Sequence, residues 1–204
     1  MNRYKRHTFL IVLIAPSGGG KSTILRRLIE RRPDIAYSVS STTRAPRVGE
    51  VDGRDYVFLS REEFTRRREQ GQFFETAEVH GNLYGTSRVF IRERLDEGRH
   101  VVLDIDVQGA DAIVNGGLPV VTVFLMPPGH EVLKQRLHTR GADSDETIAL
   151  RLRNAHGEVA RAHDFNYLVI NDDLDEAVNE VLAIVRAEEN RISRYESLEE
   201  TFWR

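Results

Sequence analysis

The sequence predicts an α/β fold: a parallel sheet core flanked by helices, carrying an inserted α+β subdomain and a helical lid. Three observations predict it. Phe9–Ala15 is an unbroken apolar run that feeds into a glycine-rich turn and then a helix, as a strand buried on both faces of a parallel sheet does. Similar runs recur at His100–Ile105, Val120–Met126 and Tyr167–Ile170 with helical stretches between them, and such alternation implies right-handed crossovers. From about Ser40 to Gly98 the rhythm breaks into Arg-Pro and Gly-rich turns, short alternating runs (Tyr56–Leu59, Phe73–Val79) and two short helices. That stretch is an insertion between the second and third core strands.

Arg3, Lys5 and Arg6 ahead of the first apolar run imitate a secretory signal. The run is short, lacks a small-x-small cleavage site and ends in the glycine turn, so it is a buried strand. No segment approaches the roughly 20 apolar residues of a membrane span. The next element is a helix over Lys21–Arg32, with Leu25, Leu28 and Ile29 on one face and Pro33 as its stop. Later helices are expected at Gly129–Arg140, Asp145–Ala162 and Asp173–Arg194. The arginine-rich stretch His130–His163, with the loop Arg140–Glu146, is expected to be a mobile cover. The tail, with Tyr195, Phe202 and Trp203, is expected to continue a polar helix and is a candidate surface for self-association. The whole of 1–204 reads as one folding unit, with a core at about 1–39, 99–129 and 164–204, the insertion at about 40–98 and the lid at about 130–163.

Composition narrows the function. Hydrophobic residues make up 40% and charged residues 30%, enough apolar surface for a packed core and against disorder. The formal net charge of −3 argues against a chain that coats nucleic acid or an anionic membrane. Anion binding must then come from local arginine clusters. The absence of cysteine excludes disulfides, thiolate metal sites and thiol catalysis, and fits a reducing cytoplasm. The seven histidines show no metal-ligand spacing. Arg66–Arg68, with Glu62, Glu63 and Glu69 nearby, is a solvated helix face.

Chemistry enters where the first strand meets the first helix. Ala15, Pro16, Ser17, Gly18, Gly19, Gly20, Lys21 and Ser22, continued by Thr23, match the P-loop pattern, with alanine in place of its first glycine. A phosphate cradle needs backbone N–H groups converging on one point, and three glycines permit that turn. The helix N-terminus adds a dipole favourable to anions. Lys21 reaches the β- and γ-phosphates of a nucleotide, and the Ser22 hydroxyl is a ligand for Mg²⁺. Asp104, at the end of its strand, is a second candidate for the Mg²⁺ shell, through water. A P-loop does not say which acceptor receives the phosphate.

The acceptor is addressed by the stretch Ser40–Tyr56. Arg44 and Arg47 flank Pro46, and guanidinium forks suit phosphate oxygens bidentately. An exposed Arg-x-Pro-Arg has no evident packing use. Glu75 follows, then Gly81-Asn-Leu-Tyr-Gly-Thr86. Together with Gly53-x-Asp-Tyr-x-Phe58, Leu103–Gly109, Lys134-x-Arg-Leu-x-x-Arg-Gly141 and Ile170–Asp173, these pieces closely resemble the guanylate kinase family in order and spacing, from about residue 9 to 185.

The resemblance implies a P-loop NTPase-type core and Mg²⁺-dependent transfer of a phosphoryl group from ATP to GMP, with dGMP as a further acceptor. It implies that Arg44, Arg47, Tyr56 and Tyr84 hold the GMP phosphate, and that Ser40, Glu75, Thr86 and Asp106 read guanine. A carboxylate accepts from guanine N1–H and N2–H₂ while a hydroxyl donates to O6; adenine would leave buried groups unpaired, at roughly 1–3 kcal/mol each. Arg136, Arg140 and Arg151 match the lid arginines, Arg44 joins Lys21 and these in stabilising the transfer, and Asn171 is expected at the adenine. Arg153 and Arg161 are expected to be ordinary surface charges. The competing readings are a guanylate-kinase-like peptide-binding module, disfavoured by the intact Gly-Lys-Ser loop, and a small P-loop kinase with another acceptor.

Overall fold

The structure, a computed structural model, describes residues 4–79, 81–139 and 145–204. Its centre is β1 (Leu10–Ile14), in which every residue is buried. Alternate side chains of this region serve two cores. Phe9, Ile11, Leu13 and Ala15 pack against Ile24, Leu25 and Leu28 of α1 (Lys21–Arg31) and against Val178, Val181 and Val185 of α7 (Leu174–Glu189). Leu10, Val12 and Ile14 pack on the other side against Ile91 of α3 (Arg88–Asp96) and Ala110 and Ile113 of α4 (Val107–Val114). Burial on both faces is the physical reason the run shows no polar alternation.

The remaining core strands are β2 (Ala36–Tyr37), β7 (Val101–Asp104), β8 (Val120–Met126) and β9 (Tyr167–Ile170). They form a parallel sheet in the order β2-β7-β1-β8-β9, with Leu10 opposite both Val101 and Val120. From β1 the chain passes out to β2 at one edge, returns to β7 beside β1, and then crosses to β8 and β9 on the other side. A switch point of this kind opens a crevice at the carboxyl ends of the strands, and the phosphate-loop residues, Asp104–Asp106 and Asn171 all lie at those ends.

Between β2 and β7 the chain builds a second sheet. β3 (Ser41–Thr42), β4 (Val57–Phe58), β5 (Phe73–Val79) and β6 (Asn82–Ser87) are ordered β4-β3-β6-β5, parallel at β3/β4 and antiparallel elsewhere. Phe64 of α2 (Arg61–Glu69), Phe73 and Leu83 close a small core beneath it, with Phe64 and Phe73 stacked at 4.6 Å. Ser60 caps α2 and Ser87 caps α3, each accepting from a first-turn N–H. Helices α5 (His130–Thr139) and α6 (Asp145–Ala160) pack on each other through Leu133, Leu137, Ile148 and Ala155.

Two expectations are corrected. The last core helix stops at Glu189, with Asn190 as its C-cap, and does not run on to Arg194. The tail does not extend it either. His7 N donates to Arg194 O and Glu196 N to Lys5 O, so the chain reverses across the N-terminal segment before the short α8 (Leu198–Phe202). Backbone pairing with Lys5–His7 outweighs the helical preference of the polar tail. Phe202 and Trp203 remain exposed. Among the described residues no helix is long and apolar enough to cross a membrane.

Candidate active site

The turn between β1 and α1 is shaped by close approach. A Cβ on Gly19 would stand 2.9 Å from both the Ala15 methyl and the Pro16 carbonyl oxygen. The alanine in the first loop position is therefore accommodated because Gly19 offers no side chain opposite it. Gly20 sits at φ +90° and caps α1 without a side-chain hydrogen bond. The helix thus presents first-turn N–H groups that no side-chain cap occupies, the condition for binding an anion there.

Two side chains from distant elements grip this loop. Asn171, just past β9 and 5% exposed, donates through Nδ2 to Gly19 O at 2.7 Å. A Cβ on Gly20 would collide with that amide nitrogen. Glu158 on α6 accepts from Ser17 N at 3.3 Å. Burial pushes the Glu158 carboxyl above the ordinary range, and the Ser17 N–H and Lys21 pull against that shift.

Lys21 Nζ donates to Ile105 O at 2.7 Å. Burial lowers its pKa, while the charges of Asp104, Asp106 and Glu158 oppose the shift. Asp104 accepts from the Tyr37 hydroxyl at 3.0 Å. Burial raises its pKa, against Lys21 and the Tyr37 hydrogen bond. Ser22 and Asp104 line the same cleft. Among the described residues no group of three acidic or histidine side chains builds a metal cage. A hydroxyl beside a carboxylate is nevertheless a donor set that fits Mg²⁺ held mainly by phosphate oxygens and water.

That cleft, of about 330 Å³, is also lined by Lys21, Ser40, Tyr56, Glu75, Tyr84 and Asp106. Glu75 reaches it from β5. Its pKa is raised by burial, with Asp106 adding to the shift and the Thr86 hydroxyl opposing it. Asp106 caps α4, accepting from Gly109 N at 2.7 Å. Gly109 lines the cleft beside it. Tyr56 and Tyr84 stand 6.0 Å apart, edge to face.

Several expected residues sit differently from the sequence reading. Thr86 is 1% exposed and spends its hydroxyl on Glu75 Oε1 at 2.7 Å. It orients the carboxylate from behind and does not line the cleft. Arg44 does have a packing use. Its Nη2 donates to both Glu50 carboxylate oxygens, at 2.8 and 3.0 Å, and its guanidinium lies over the Tyr56 ring at 5.3 Å. Glu50 also accepts from Arg47 N at 2.7 Å, while the Arg47 side chain is exposed.

Arg136 on α5 donates through Nη2 to Asn171 O at 2.9 Å, and its Nη1 is buried without a hydrogen-bond partner. Arg151 is half-buried on α6, and Arg140 lies outside the described residues. Arg153 is exposed. Arg161 is more than a solvated charge: it forks onto Asp111 of α4 at 2.7 and 3.1 Å and pairs with Asp164 at 2.9 Å. A second cleft of about 500 Å³ lies between the loop and α5, lined by Gly18, Gly20, Thr23, Arg136, Asn171 and Asp172.

The sequence reading missed Tyr37, Glu50 and Glu158. Glu50 closes the Arg-x-Pro-Arg-x-Gly-Glu run, and Glu158 falls seven residues after Arg151, on the same helix face. Those spacings were the available signals. Nothing in the sequence around Tyr37 points to its partner.

Comparison with known proteins bears on the whole arrangement. The guanylate kinase family model matches residues 7–188. A guanylate kinase of Idiomarina loihiensis is 48% identical over 185 residues, covering 90% of this chain and 88% of its own. One from Clostridium perfringens (strain SM101 / Type A) is 45% identical over 185 residues, covering 91% and 86%. The crystal structure of guanylate kinase from Anaplasma phagocytophilum superimposes with a TM-score of 0.81 at 34% identity, over 98% of this chain and 96% of that one. A likeness in fold alone extends to a sugar kinase from Janibacter, with a TM-score of 0.50 at 14% identity, covering 88% and 95%. The P-loop core, the cleft built around Glu75 and a match over nearly the full length agree, and the chain belongs to the guanylate kinase family.

Proposed function

We propose that this chain transfers the γ-phosphoryl group of ATP to GMP, giving ADP and GDP, with dGMP as a further acceptor. The observation that carries the reading is a single cleft in which Lys21 and Ser22 of the phosphate loop face Glu75, Tyr56 and Tyr84 of the inserted sheet. A donor and an acceptor on opposite walls are thereby within reach of each other, and positioning of this kind supplies much of the rate in phosphoryl transfer.

On the donor side, the Ala15–Thr23 turn holds the ATP phosphates through backbone amides and Lys21, with the cleft beside Arg136 and Asn171 for the nucleoside. Ser22, with Asp104 through water, would hold Mg²⁺, which shields the phosphate oxygens when bound. On the acceptor side, Arg44, Arg47, Tyr56 and Tyr84 take the GMP phosphate. Glu75, oriented by Thr86, accepts from guanine N1–H and N2–H₂, with Ser40 and Asp106 completing the base site. Lys21, Arg44, Arg136, Arg140 and Arg151 stabilise the charge that spreads over the transferred group and exclude water from it. In this reading residues of about 40–98 form the GMP-binding subdomain and those of about 130–163 the lid. The cysteine-free sequence supports a reducing, cytoplasmic setting, and the exposed Phe202 and Trp203 support self-association through the tail.

A panel of nucleoside monophosphates with ATP and Mg²⁺, read by coupled detection of ADP, tests the assignment. GMP and dGMP should turn over well and AMP, CMP and UMP poorly. Equal turnover of AMP would sink it.

A further inference from the structure

The geometry points to Asn171 as the positioning residue that holds the phosphate loop in its anion-binding shape, in place of the adenine contact expected of it. The inference rests on the reading of Ala15–Thr23 as the ATP phosphate site.

The side chain is buried and committed. Its Nδ2 donates to Gly19 O at 2.7 Å. A peptide whose carbonyl is held outward turns its N–H partner, the amide of the next residue, the other way; here that next residue is Gly20, at the start of α1. An anion needs those amides convergent and needs the carbonyls turned away, because a carbonyl oxygen facing a phosphate would repel it. Holding one carbonyl by an outside donor fixes both conditions without placing a side chain in the cradle.

The backbone of Asn171 is fixed as firmly. Its N–H donates to Met126 O at 2.7 Å at the end of β8, and its carbonyl accepts from Arg136 Nη2 at 2.9 Å. The side-chain amide is thus borne by a backbone anchored to the end of the sheet. Gly20 completes the fit, since any Cβ there would strike Nδ2. The glycine is required for the approach of Asn171 as well as for its φ of +90°. The other Arg136 nitrogen, Nη1, is buried, unpartnered and 4.0 Å from where that Cβ would stand. Asn171 therefore also orients a lid arginine at the loop edge, and one residue braces both.

The experiment separates the two roles by using an anion that has no base. Calorimetric binding of ATP and of inorganic tripolyphosphate is compared in wild type and Asn171→Ala, with GMP affinity as the control for an intact fold. Loss of a buried hydrogen bond at the cradle should weaken both ligands by a similar factor, roughly tenfold, and leave the preference for ATP over GTP unchanged. Weakening of ATP alone, or of neither, overturns the inference and leaves the proposed function standing. Failure of wild-type protein to bind tripolyphosphate overturns the phosphate-site reading itself. Should the variant not fold, the wild type gives the answer by NMR. Scalar coupling across the hydrogen bond from Asn171 Nδ2 to the Gly19 carbonyl carbon should persist when tripolyphosphate binds. Its loss on binding would overturn the inference.

Discussion

Thr86 and Glu75 form a 2.7 Å hydrogen bond in the wall of the acceptor cleft, with the hydroxyl donating and the carboxylate accepting. The donor is buried behind the acceptor, so this bond sets the direction of the carboxylate that lines the cleft from β5. Thr86→Val keeps the shape and removes the donor. It should raise KM for GMP by roughly fivefold to a hundredfold and leave KM for ATP unchanged. Glu75→Gln should erode selectivity for GMP over AMP and IMP. Unchanged selectivity in that variant would remove Glu75 from the base site.

The same pair makes a pH prediction. Burial raises the Glu75 pKa above its ordinary 4.5. A raised carboxyl disfavours folding as pH rises, because the unfolded chain ionises from about 4.5 upward while the folded one lags; stability is full below that value and is lost through the folded pKa. Binding of GMP should run the opposite way if, as proposed, the ionised carboxylate accepts from guanine. Affinity for GMP should therefore fall on acidification at a higher pH than an unburied glutamate would give. Thr86→Val, which removes the opposing hydrogen bond, should move that limb higher still. A profile of GMP affinity against pH in both proteins checks it, and coincident limbs would contradict the account.

His100 makes a separate, structural prediction far from the cleft. Its Nδ1 accepts from Phe9 N at 3.2 Å, and burial holds its pKa below the ordinary 6.5 although Glu189 pulls it up. The unfolded chain takes a proton at about 6.5 before the folded one does, so stability should be full above that pH and decline below it. Urea midpoints between pH 5 and 8 should show the decline in the wild type and lose that component in His100→Phe. A variant with the same decline would remove His100 as its cause.

The loop's alanine is testable through its neighbour. Gly19→Ala places a methyl against the Ala15 methyl and the Pro16 carbonyl, each 2.9 Å away. The cost should be roughly 1–3 kcal/mol of stability. Ala15→Gly should recover part of that cost in the double variant, because the Pro16 clash remains. Strict additivity in the double-mutant cycle would show that the two side chains do not compete for space.

How much of this was legible in the sequence varied with how local its cause is. β1 and β8 announced themselves because burial on both faces forbids polar alternation, and the phosphate loop because its glycines and lysine are contiguous. A second core strand was expected ahead of Ser40 but could not be placed: two residues, Ala36 and Tyr37, carry no period, and only pairing with β7 makes them a strand. α4 was absorbed into the Leu103–Gly109 motif, although Asp106 followed by Gly109 fits an N-cap and the N–H it accepts. The end of α7 at Glu189 depends on the tail pairing with residues 5–7, which no local preference encodes. In the site, residue types could be read but not the direction of their donors. Thr86 behind Glu75, Arg44 on Glu50 and Asn171 on Gly19 are all set by which elements pack against which.

The most direct test follows the phosphorus atom. Purified protein with Mg²⁺, GMP and ATP labelled in its γ-phosphate should yield GDP labelled in the β-position. Lys21→Met should slow the transfer by orders of magnitude while unfolding as cooperatively as the wild type. Label recovered as inorganic phosphate with none in GDP, or a Lys21→Met variant with near-normal transfer, would contradict the account.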